Sequence, residues 1–421
     1  MLGSSNIVRF YMGTIPVYLV AGEHNVHSAF ERSHKLGNER VMVDRAFPIL
    51  YRMSKKDVQR FAKDKSGRGR LPAPGSESTP HDHRYWHAYE HVHSEYLSKG
   101  KHLKPIIEAY QQQLSRDLDE RYPANEWVNV NIVEFCRYEV TKCAISTLFG
   151  PKVFETSPDI LDAFWDLDER IFILTLGFPR WLYSAPYQAR DRFLAMIEKY
   201  LASATAGFDW DGPDSEAYWE PHFGARVCRE IVKWFRDAGF GDQTVPAALG
   251  ALLFAQNSNT IPTTMWALME IFNDAALLQA VREEIKSAYI TDPGTPPRTV
   301  DIQKVVNLPL LQSIFTEVLR LHINFNVIRN VNEAVTLEGH QLRKGDMLQV
   351  PMLPAHFDES VWGVEGHPAS DFWAERHIKY EKVLGDAGNV IRKPTFSTAG
   401  KTDYYFPFGT LDPSGADVAN N

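Results

Sequence analysis

The chain of 421 residues is long enough for one large domain or for two or three average ones. Hydrophobic residues make up 44% and charged residues 23% of it, which excludes a disordered or fibrous chain and indicates a globular one. The formal net charge of -8 comes without an arginine-rich segment, which argues against broad nucleic-acid binding, so we expect no nucleic-acid partner.

The cysteine content indicates buried thiols rather than disulfides. Cys136, Cys143 and Cys228 are too few and too scattered for a disulfide framework, and no C-x-x-C pair has the spacing of a metal site. Cys136 and Cys143 lie on one face of a predicted helix, so both are predicted to pack in its core. This usage is typical of a reducing compartment.

Nothing in the sequence predicts a membrane-spanning segment. There is no apolar run of about 18 residues, and residues 1–6 lack the charged and apolar regions of a signal peptide. We therefore expect a chain that is soluble or at most peripheral to a membrane.

The first elements in chain order are two β-rich runs, residues 8–13 and 15–20, which predict a hairpin, and a helix over residues 25–33. Residues 64–82 are rich in Gly, Pro, Ser and charge and predict a loop. A helix rich in histidine follows over residues 84–93. It offers no third metal ligand at a convincing spacing, so no zinc site is predicted.

Further helices are predicted over residues 103–121 and 130–149. Aromatic side chains are dense between residues 160 and 201, which indicates either the core of a helical bundle or the roof of an apolar substrate pocket near a membrane surface. The longest apolar helix is predicted over residues 247–274. Its middle carries the polar residues 256–260 and a proline, which is costly in a packed helix and indicates a ligand-facing surface.

The spacing near the end of the chain predicts an ion network. Glu317 and Arg320 are three apart and share a helix face, and Ile314 and Leu321 would turn that helix inward. Arg376, from a later loop, is a candidate second partner for Glu317. Spacing alone equally suits a solvated pair, whereas burial would make the three residues a structural brace.

The order of the segments that follow Arg320 in the sequence favours a buried Glu317–Arg320 pair over a solvated one. After Arg320 the chain contains, in this order, a short β-like run with Arg329, a strand-like run over residues 341–351, the Arg376 segment and Phe406-Pro407-Phe408-Gly409. This order and spacing resemble the cytochrome P-450 family, the haem-thiolate monooxygenases. The resemblance extends over residues 7–409 and is most specific over residues 247–409.

The resemblance implies a mainly α fold: a single large helical haem-thiolate domain over residues 1–421, with a small β-sheet near the N-terminus. Glu317, Arg320 and Arg376 would brace the haem-ligand loop. Haem is the implied cofactor, an NADPH reductase the implied partner and a lipophilic small molecule the implied substrate. Members usually reside at the endoplasmic reticulum membrane, eukaryotic ones through an N-terminal anchor. No such anchor is expected in this chain.

The resemblance also nominates cofactor-binding residues. Arg329 would bind a haem propionate, and so would Trp86 with His87 or His91, although Glu90 stands where the usual W-x-x-x-R pattern has Arg.

On the central helix, most family members carry an acid–alcohol pair that delivers protons to dioxygen. The matching positions here are Ser258 and Asn259, or Asn259 and Thr260 if the register shifts by one, so the acid is missing. The N-T-x-P sequence resembles the branch that contains sterol 7α-hydroxylase and prostacyclin synthase, which mixes oxygenases with an isomerase. We expect a fungal-type member of this branch.

Phe406 and Gly409 fit the start of the family's F-x-x-G-x-x-x-C-x-G pattern, whose Cys thiolate ligates the haem iron. Pro413 stands at the Cys position, and the chain ends at Asn421 without the helix that follows. We therefore expect a chain truncated before the haem-ligand loop and helix, with no metal ligand of its own and impaired activity.

Three functional hypotheses follow. The first is a haem-dependent monooxygenase of a sterol- or lipid-like molecule, impaired in this chain. The second is a haem-thiolate isomerase of lipid peroxides, and the third is a non-catalytic helical binding protein that keeps the apolar pocket alone.

Overall fold

The structure is a computed structural model that describes residues 6–12, 15–32, 35–122, 126–290, 299–384 and 390–408. It divides into two compact units, which we describe separately. The first lies within Met1–Val41, Thr263–Ile290 and Val300–Asn421, and the second within Met42–Pro262 and Thr291–Thr299.

Helices dominate the described residues, as the fold class predicted. The α-helices are α1 Glu23–Glu31, α2 Glu39–Val41, α3 Lys55–Lys63, α4 Tyr85–Ser98, α5 Gly100–Arg121, α6 Ile132–Glu134, α7 Thr141–Phe149, α8 Lys152–Thr156, α9 Ile160–Leu176, α10 Ala185–Gly207, α11 Arg226–Asp237, α12 Thr244–Asn273, α13 Ala275–Ile285, α14 Ile302–Val305, α15 Pro309–His322, α16 Met352–His356 and α17 Glu359–Trp362. Segments with wider π-helical bonding are Met42–Leu50 and Phe135–Val140. Short 3-10 turns are His81–His83, Pro213–Glu216, Lys286–Ala288 and Thr402–Tyr404.

The strands are short and form small sheets. They are β1 Ile7–Met12, β2 Ile15–Val20, β3 Leu36–Gly37, β4 Trp219–Glu220, β5 Gly224–Ala225, β6 Asn326–Val331, β7 Val335–Leu337, β8 His340–Leu342, β9 Met347–Pro351, β10 Ile378–Leu384 and β11 Val390–Phe396. One sheet has the order β1-β2-β9-β6-β3, and the pairs β10-β11, β4-β5 and β7-β8 stand apart from it.

The N-terminal hairpin is confirmed. Strands β1 and β2 are antiparallel, with Met12 opposite Ile15, and β2 continues the sheet in parallel to β9. Both faces of β2 are covered in part: Val17 and Val20 are fully buried and, because they are three residues apart on a strand, they point to opposite faces.

The prediction of one continuous strand over residues 341–351 is wrong. It is two strands, β8 and β9, separated by a turn at which Gly345 has φ +95°, a left-handed conformation that favours glycine. The residues Arg343-Lys344-Gly345-Asp346 are typical of a turn, but the β-rich residues on either side of them make the whole segment resemble one strand.

A contiguous apolar core lies against the sheet of the first unit. It joins α1, the strands of the sheet and the end of the described chain. Its buried members are Ile7, Tyr18, Val20, Val26, Ala29, Leu36, Val327, Val331, Val335, Leu337, Leu342, Leu348, Val350, Met352 and Phe406.

In the second unit, the helix predicted over residues 130–149 forms as α6, the Phe135–Val140 segment and α7 without interruption. It ends at Gly150, whose φ is +78° and where a Cβ would lie 2.6 Å from the Pro221 carbonyl oxygen. The prediction that Cys136 and Cys143 are buried thiols is confirmed, since both are fully buried.

The central helix α12 begins three residues before its predicted start and keeps Pro262 inside it. At its end, Asp274 caps α13, with the carboxylate accepting from the amides of Ala276 and Leu277 at 2.8 and 3.0 Å. Residues 64–80 contain no helix or strand, which agrees with the predicted loop. Across the ranges that the structure describes, no helix combines the length and apolarity needed to cross a bilayer.

Candidate active site

A buried carboxylate organises the first unit. Helix α15 begins with Pro309 in its first turn, and the side chains of Ile314 and Val318 pack it inward against α13 and the end of α12. The same inward face carries Glu317 and Arg320, both fully buried. A charged pair in such a place needs partners for every polar atom.

The structure brings Glu317, Arg320 and Arg376 together. Arg320 donates from Nε and Nη2 to the two oxygens of Glu317 at 2.8 and 2.7 Å. Arg376 donates from Nε to Glu317 Oε1 at 2.7 Å. His377 adds a fourth member, with its Nε2 at 3.3 Å from Glu317 Oε2. The sequence analysis did not nominate His377, although it directly follows Arg376.

The remaining guanidinium donors tie α15 to the loop after it. Arg320 Nη1 donates to the carbonyl oxygens of His356 and Ala369 at 2.6 and 2.7 Å. Arg376 donates to the carbonyl oxygens of Trp362, His367, Pro368 and Asp371, the last two at 2.9 and 2.8 Å. The two guanidinium groups therefore fix the backbone between residues 356 and 371 to the helix.

The charges in the network reinforce one another. Burial would raise the pKa of Glu317, but hydrogen bonds from Arg320 and His377 and the charges of both arginines hold that pKa at about 2. Burial lowers the pKa of His377, so its imidazole is neutral and donates through Nε2. Burial also lowers the pKa of His356 to about 4, and its Nδ1 lies 3.1 Å from the Arg320 carbonyl oxygen.

These shifts predict a loss of stability in acid. In the unfolded chain His356 is protonated near its ordinary pKa of 6.5, whereas in the folded chain it is protonated only near pH 4. Stability therefore falls as the pH drops from about 6.5 to about 4. Glu317 adds a second loss between its ordinary 4.5 and about 2. We expect the urea midpoint to fall in both windows and His356→Asn to flatten the upper one. An unchanged slope in that variant would contradict the assignment.

Phe406 lies in the same unit as this network. Its ring is fully buried and packs on Phe30 at 5.6 Å and on His356 at 5.6 Å between centroids. Tyr405 stacks on His356 at 5.7 Å. The last part of the described chain is thus fixed beside the arginine network. Gly409 and Pro413, the other two positions nominated on this segment, lie outside the described residues.

Arg329 is a half-buried cation on β6. Its Nη1 donates to the Ile328 carbonyl oxygen at 3.1 Å. Together with Phe30, Val327 and Leu348 it lines a cavity of about 10 Å³, which holds at most one water molecule. Its role at a haem propionate stays a prediction.

In the second unit, Trp86 is buried and its indole Nε1 donates to the Phe61 carbonyl oxygen at 2.9 Å. The guanidinium of Arg68 lies over its ring at 4.8 Å and pairs with Glu90 at 3.0 Å. A cation from the preceding loop therefore lies beside the helix position at which the family pattern has Arg. The one polar donor of Trp86 is already engaged, so its role at a propionate also stays a prediction.

His91 is exposed, and its ring stacks on that of His87 at 5.8 Å between centroids. Among the described residues, no group of three or more His, Cys, Asp or Glu side chains could hold a metal ion.

The polar side chains in the middle of α12 make hydrogen bonds both within the helix and to other elements. Gln256 Nε2 donates to the Ala144 carbonyl oxygen at 3.2 Å, and Asn257 Nδ2 donates to that of Leu253 at 2.8 Å. Asn259 and Thr260 are exposed. Ser258 is half-buried, and its side chain is a hydrogen-bond partner of the Asp168 carboxyl group on α9. Sequence spacing gave no signal that would link residues ninety positions apart.

The pKa values of the three cysteines show whether the described residues could supply a thiolate ligand to an iron. Burial raises the pKa of Cys136 to about 11 and that of Cys143 to about 12, and it raises the pKa of Cys228 well above its usual range. Cys143 and Cys228 donate to the carbonyl oxygens of Tyr110 and Leu148. All three thiols are therefore protonated packing groups, and the described residues do not fit the thiolate that the cofactor requires.

A mainly helical fold with a small N-terminal sheet and a buried Glu–Arg–Arg network is what the resemblance to the haem-thiolate monooxygenases implies. A family comparison matches residues 5–410 to Cytochrome P450, so the chain belongs to the cytochrome P450 family. The predicted family is thereby confirmed, and fungal and sterol 7-alpha-hydroxylase relatives agree with the predicted branch.

Individual relatives agree with this assignment. Cytochrome P450 monooxygenase calL of Penicillium decumbens is 36% identical over 406 residues, which cover 96% of this chain and 74% of calL. Monooxygenase efuG of Hormonema carpetanum is 25% identical over 76% of this chain and 61% of its own length. Cholesterol 7-alpha-monooxygenase of Cricetulus griseus is 24% identical over 76% of this chain and 62% of its own length.

Proposed function

We propose that this polypeptide has the monooxygenase activity of its family, acting on a lipophilic small molecule. The observation that carries this proposal is the family match over residues 5–410, which includes the buried Glu317 network. The names of the relatives support a monooxygenase. A sterol- or lipid-like substrate is supported by the cholesterol enzyme among them and by the aromatic helices α9 and α10.

The proposal includes a reductase partner and contact with a membrane surface. In monooxygenation, one oxygen atom enters the substrate and the other leaves as water, so two electrons must come from a donor such as an NADPH reductase. Contact with a membrane surface is supported by the exposed apolar side chains at and after the end of α9. These are Phe172, Leu176, Phe178, Trp181 and Leu182.

When bound, haem supplies the activation of oxygen. The proposed roles around it are a propionate contact for Arg329 and proton management or substrate positioning for Asn259 and Thr260. Phe406 would support the loop beneath the cofactor. The single-domain organisation over residues 1–421 is part of the same proposal. Because the described thiols are protonated and the sequence has no other cysteine, we propose that these 421 residues alone form no thiolate-ligated iron.

The carbon-monoxide difference spectrum of the reduced, haem-reconstituted 421-residue chain tests this last proposal. We expect no thiolate-type band, while a form extended with the C-terminal segment of the calL relative should show one. A thiolate-type band from the 421 residues would refute the proposal. Its absence from the extended form, if that form is folded, would count against the family activity.

An isomerase of lipid peroxides is the second candidate, because no acid lies among residues 256–260 of α12. A thiolate-bearing form separates the two functions. A monooxygenase turns over substrate only with a reductase and NADPH, whereas an isomerase rearranges a lipid peroxide without either. If the extended form binds lipophilic ligands but performs neither reaction, a non-catalytic binding protein is the remaining function.

A further inference from the structure

A cavity of about 360 Å³ lies in the first unit, and its described walls include no residue of the Glu317 network. It is lined by the start of α1, the end of β9 with α16, and the 3-10 turn Thr402–Tyr404. Gly22, just before α1, has φ +82°, and a Cβ there would lie 2.5 Å from the side-chain nitrogen of Asn6, which also lines the cavity. Small-molecule sites in proteins begin at about this volume.

Part of the cavity wall is apolar. Ala21 and Val26 are buried, Pro351 and Ala355 are half-buried, and Pro354 is exposed. None of these five side chains carries a polar atom, so none can bind a charged or hydrogen-bonding group. They suit contact with the hydrocarbon part of a ligand, which gains free energy when it leaves water.

Three carboxylates line the cavity as well, and each uses one oxygen within the protein. Glu23 Oε2 accepts from the Tyr404 hydroxyl group at 2.8 Å. Asp358 Oδ1 accepts from a backbone amide in the first turn of α17 at 2.9 Å. Asp403 Oδ1 lies 3.4 Å from Nδ1 of His27. The second oxygen of each carboxylate has no hydrogen-bond partner among the described residues, so it can accept from a ligand.

The negative charge at the cavity lacks a strong internal counter-ion. Within the described ranges, no lysine or arginine forms an ion pair with Glu23, Asp358 or Asp403. The pKa of Tyr404 is raised to about 12 by its hydrogen bond to Glu23, by burial and by the charges of all three carboxylates. The three acids therefore act on one point of the wall. Carboxylates on an open surface would simply be solvated, whereas these share an enclosed volume with apolar side chains.

We propose that this cavity binds an organic cation, an amine or guanidinium group carried on a short apolar body. The cationic head would donate to the second oxygens of Glu23, Asp358 and Asp403, and the body would lie against the apolar wall. An anion would be repelled by the same carboxylates. A bare metal ion does not fit, because it requires polar ligands around it, and no cluster of His, Cys, Asp or Glu among the described residues suits one. The site requires no haem and is independent of the proposed monooxygenase activity.

Calorimetric titration of the full 421-residue chain with phenethylamine tests the proposal. We expect saturable binding of the amine. Phenethyl alcohol, which has the same ring and chain length without the charge, should bind about tenfold more weakly because it cannot form charge-assisted hydrogen bonds. Added salt should weaken the binding of the amine and leave that of the alcohol unchanged.

Substitutions in the wall locate the bound amine. Glu23→Gln keeps an acceptor for Tyr404, and Asp358→Asn keeps a helix cap, so both variants should fold as the wild type does. Each should weaken phenethylamine binding by about fivefold, the upper end for one exposed charge pair. Glu365→Gln is the matched control: it removes one negative charge from an exposed position in the same unit and should bind the amine as the wild type does.

The outcomes are distinct. Equal binding of the amine and the alcohol, or amine binding that is unchanged in both wall variants, would overturn the site. So would a folded wild-type chain that binds neither probe. If a variant fails to fold, the comparison of amine with alcohol on the wild type still decides. A lysine peptide blocked at both ends separates two sources of the same chemistry: tighter binding than phenethylamine assigns the cavity to a side chain of a partner protein, and weaker binding assigns it to a free amine.

Discussion

Glu317→Gln is expected to lower the free energy of unfolding by roughly 3–5 kcal/mol, because it leaves buried charge without its counter-ion. The carboxylate accepts from Arg320, Arg376 and His377, and both arginines are buried with it. An amide presents one oxygen where the carboxylate presents two, so its nitrogen would face a guanidinium group. Urea unfolding followed by circular dichroism measures the change.

Glu283→Gln is the matched control. Glu283 also pairs with a cation three residues later on a helix, Lys286, but both side chains are exposed. Pairs of that kind contribute about 0–1 kcal/mol, so the control should unfold almost as the wild type does. Similar losses for the two variants would show that burial of the Glu317 network does not have the energetic weight assigned to it.

Arg376→Lys is expected to cost about 3 kcal/mol although it keeps the charge. The guanidinium group spans Glu317 and the carbonyl oxygens of Trp362, Pro368 and Asp371, and a lysine ammonium group cannot reach all of them. Each buried acceptor left without a donor costs about 1–3 kcal/mol. Hydrogen exchange should show faster opening between residues 356 and 377, alongside a lower urea midpoint.

Arg392→Lys, on the exposed face of β11, controls for the chemical change itself. It should leave both the exchange pattern and the midpoint unchanged. If Arg376→Lys were equally silent, the loop would be fixed by its own packing, and the arginine would contribute charge alone.

The Glu317 network shows which of its members sequence spacing could predict and which it could not. Three-residue spacing places Glu317 and Arg320 on one helix face whatever the fold, so their meeting was predictable. The third member, Arg376, was nominated because a guanidinium group could serve Glu317 as a second donor, and the family resemblance supported it, whereas periodicity gave no link. His377 and the carbonyl partners were not predictable, because they depend on how the loop over residues 356–377 turns back on the helix.

Predictions failed or were missed where they depended on tertiary context. The run over residues 341–351 has strand propensity throughout, but its turn at Gly345 divides it into β8 and β9. The Asp168–Ser258 contact joins two helices that are far apart in sequence, and no local pattern encodes their register. By contrast, helices such as α5 and α12 were placed to within a few residues, since long apolar periodicity depends little on distant contacts.

The three buried thiols have a practical consequence for labelling. Alkylating reagents attack thiolates, and Cys136, Cys143 and Cys228 are shielded and held in the protonated form in the folded chain. A single surface cysteine introduced by mutagenesis would therefore take up a fluorophore or spin label selectively, without prior removal of the native ones. The same native thiols become reactive on denaturation, which makes the unaltered polypeptide its own reporter of unfolding.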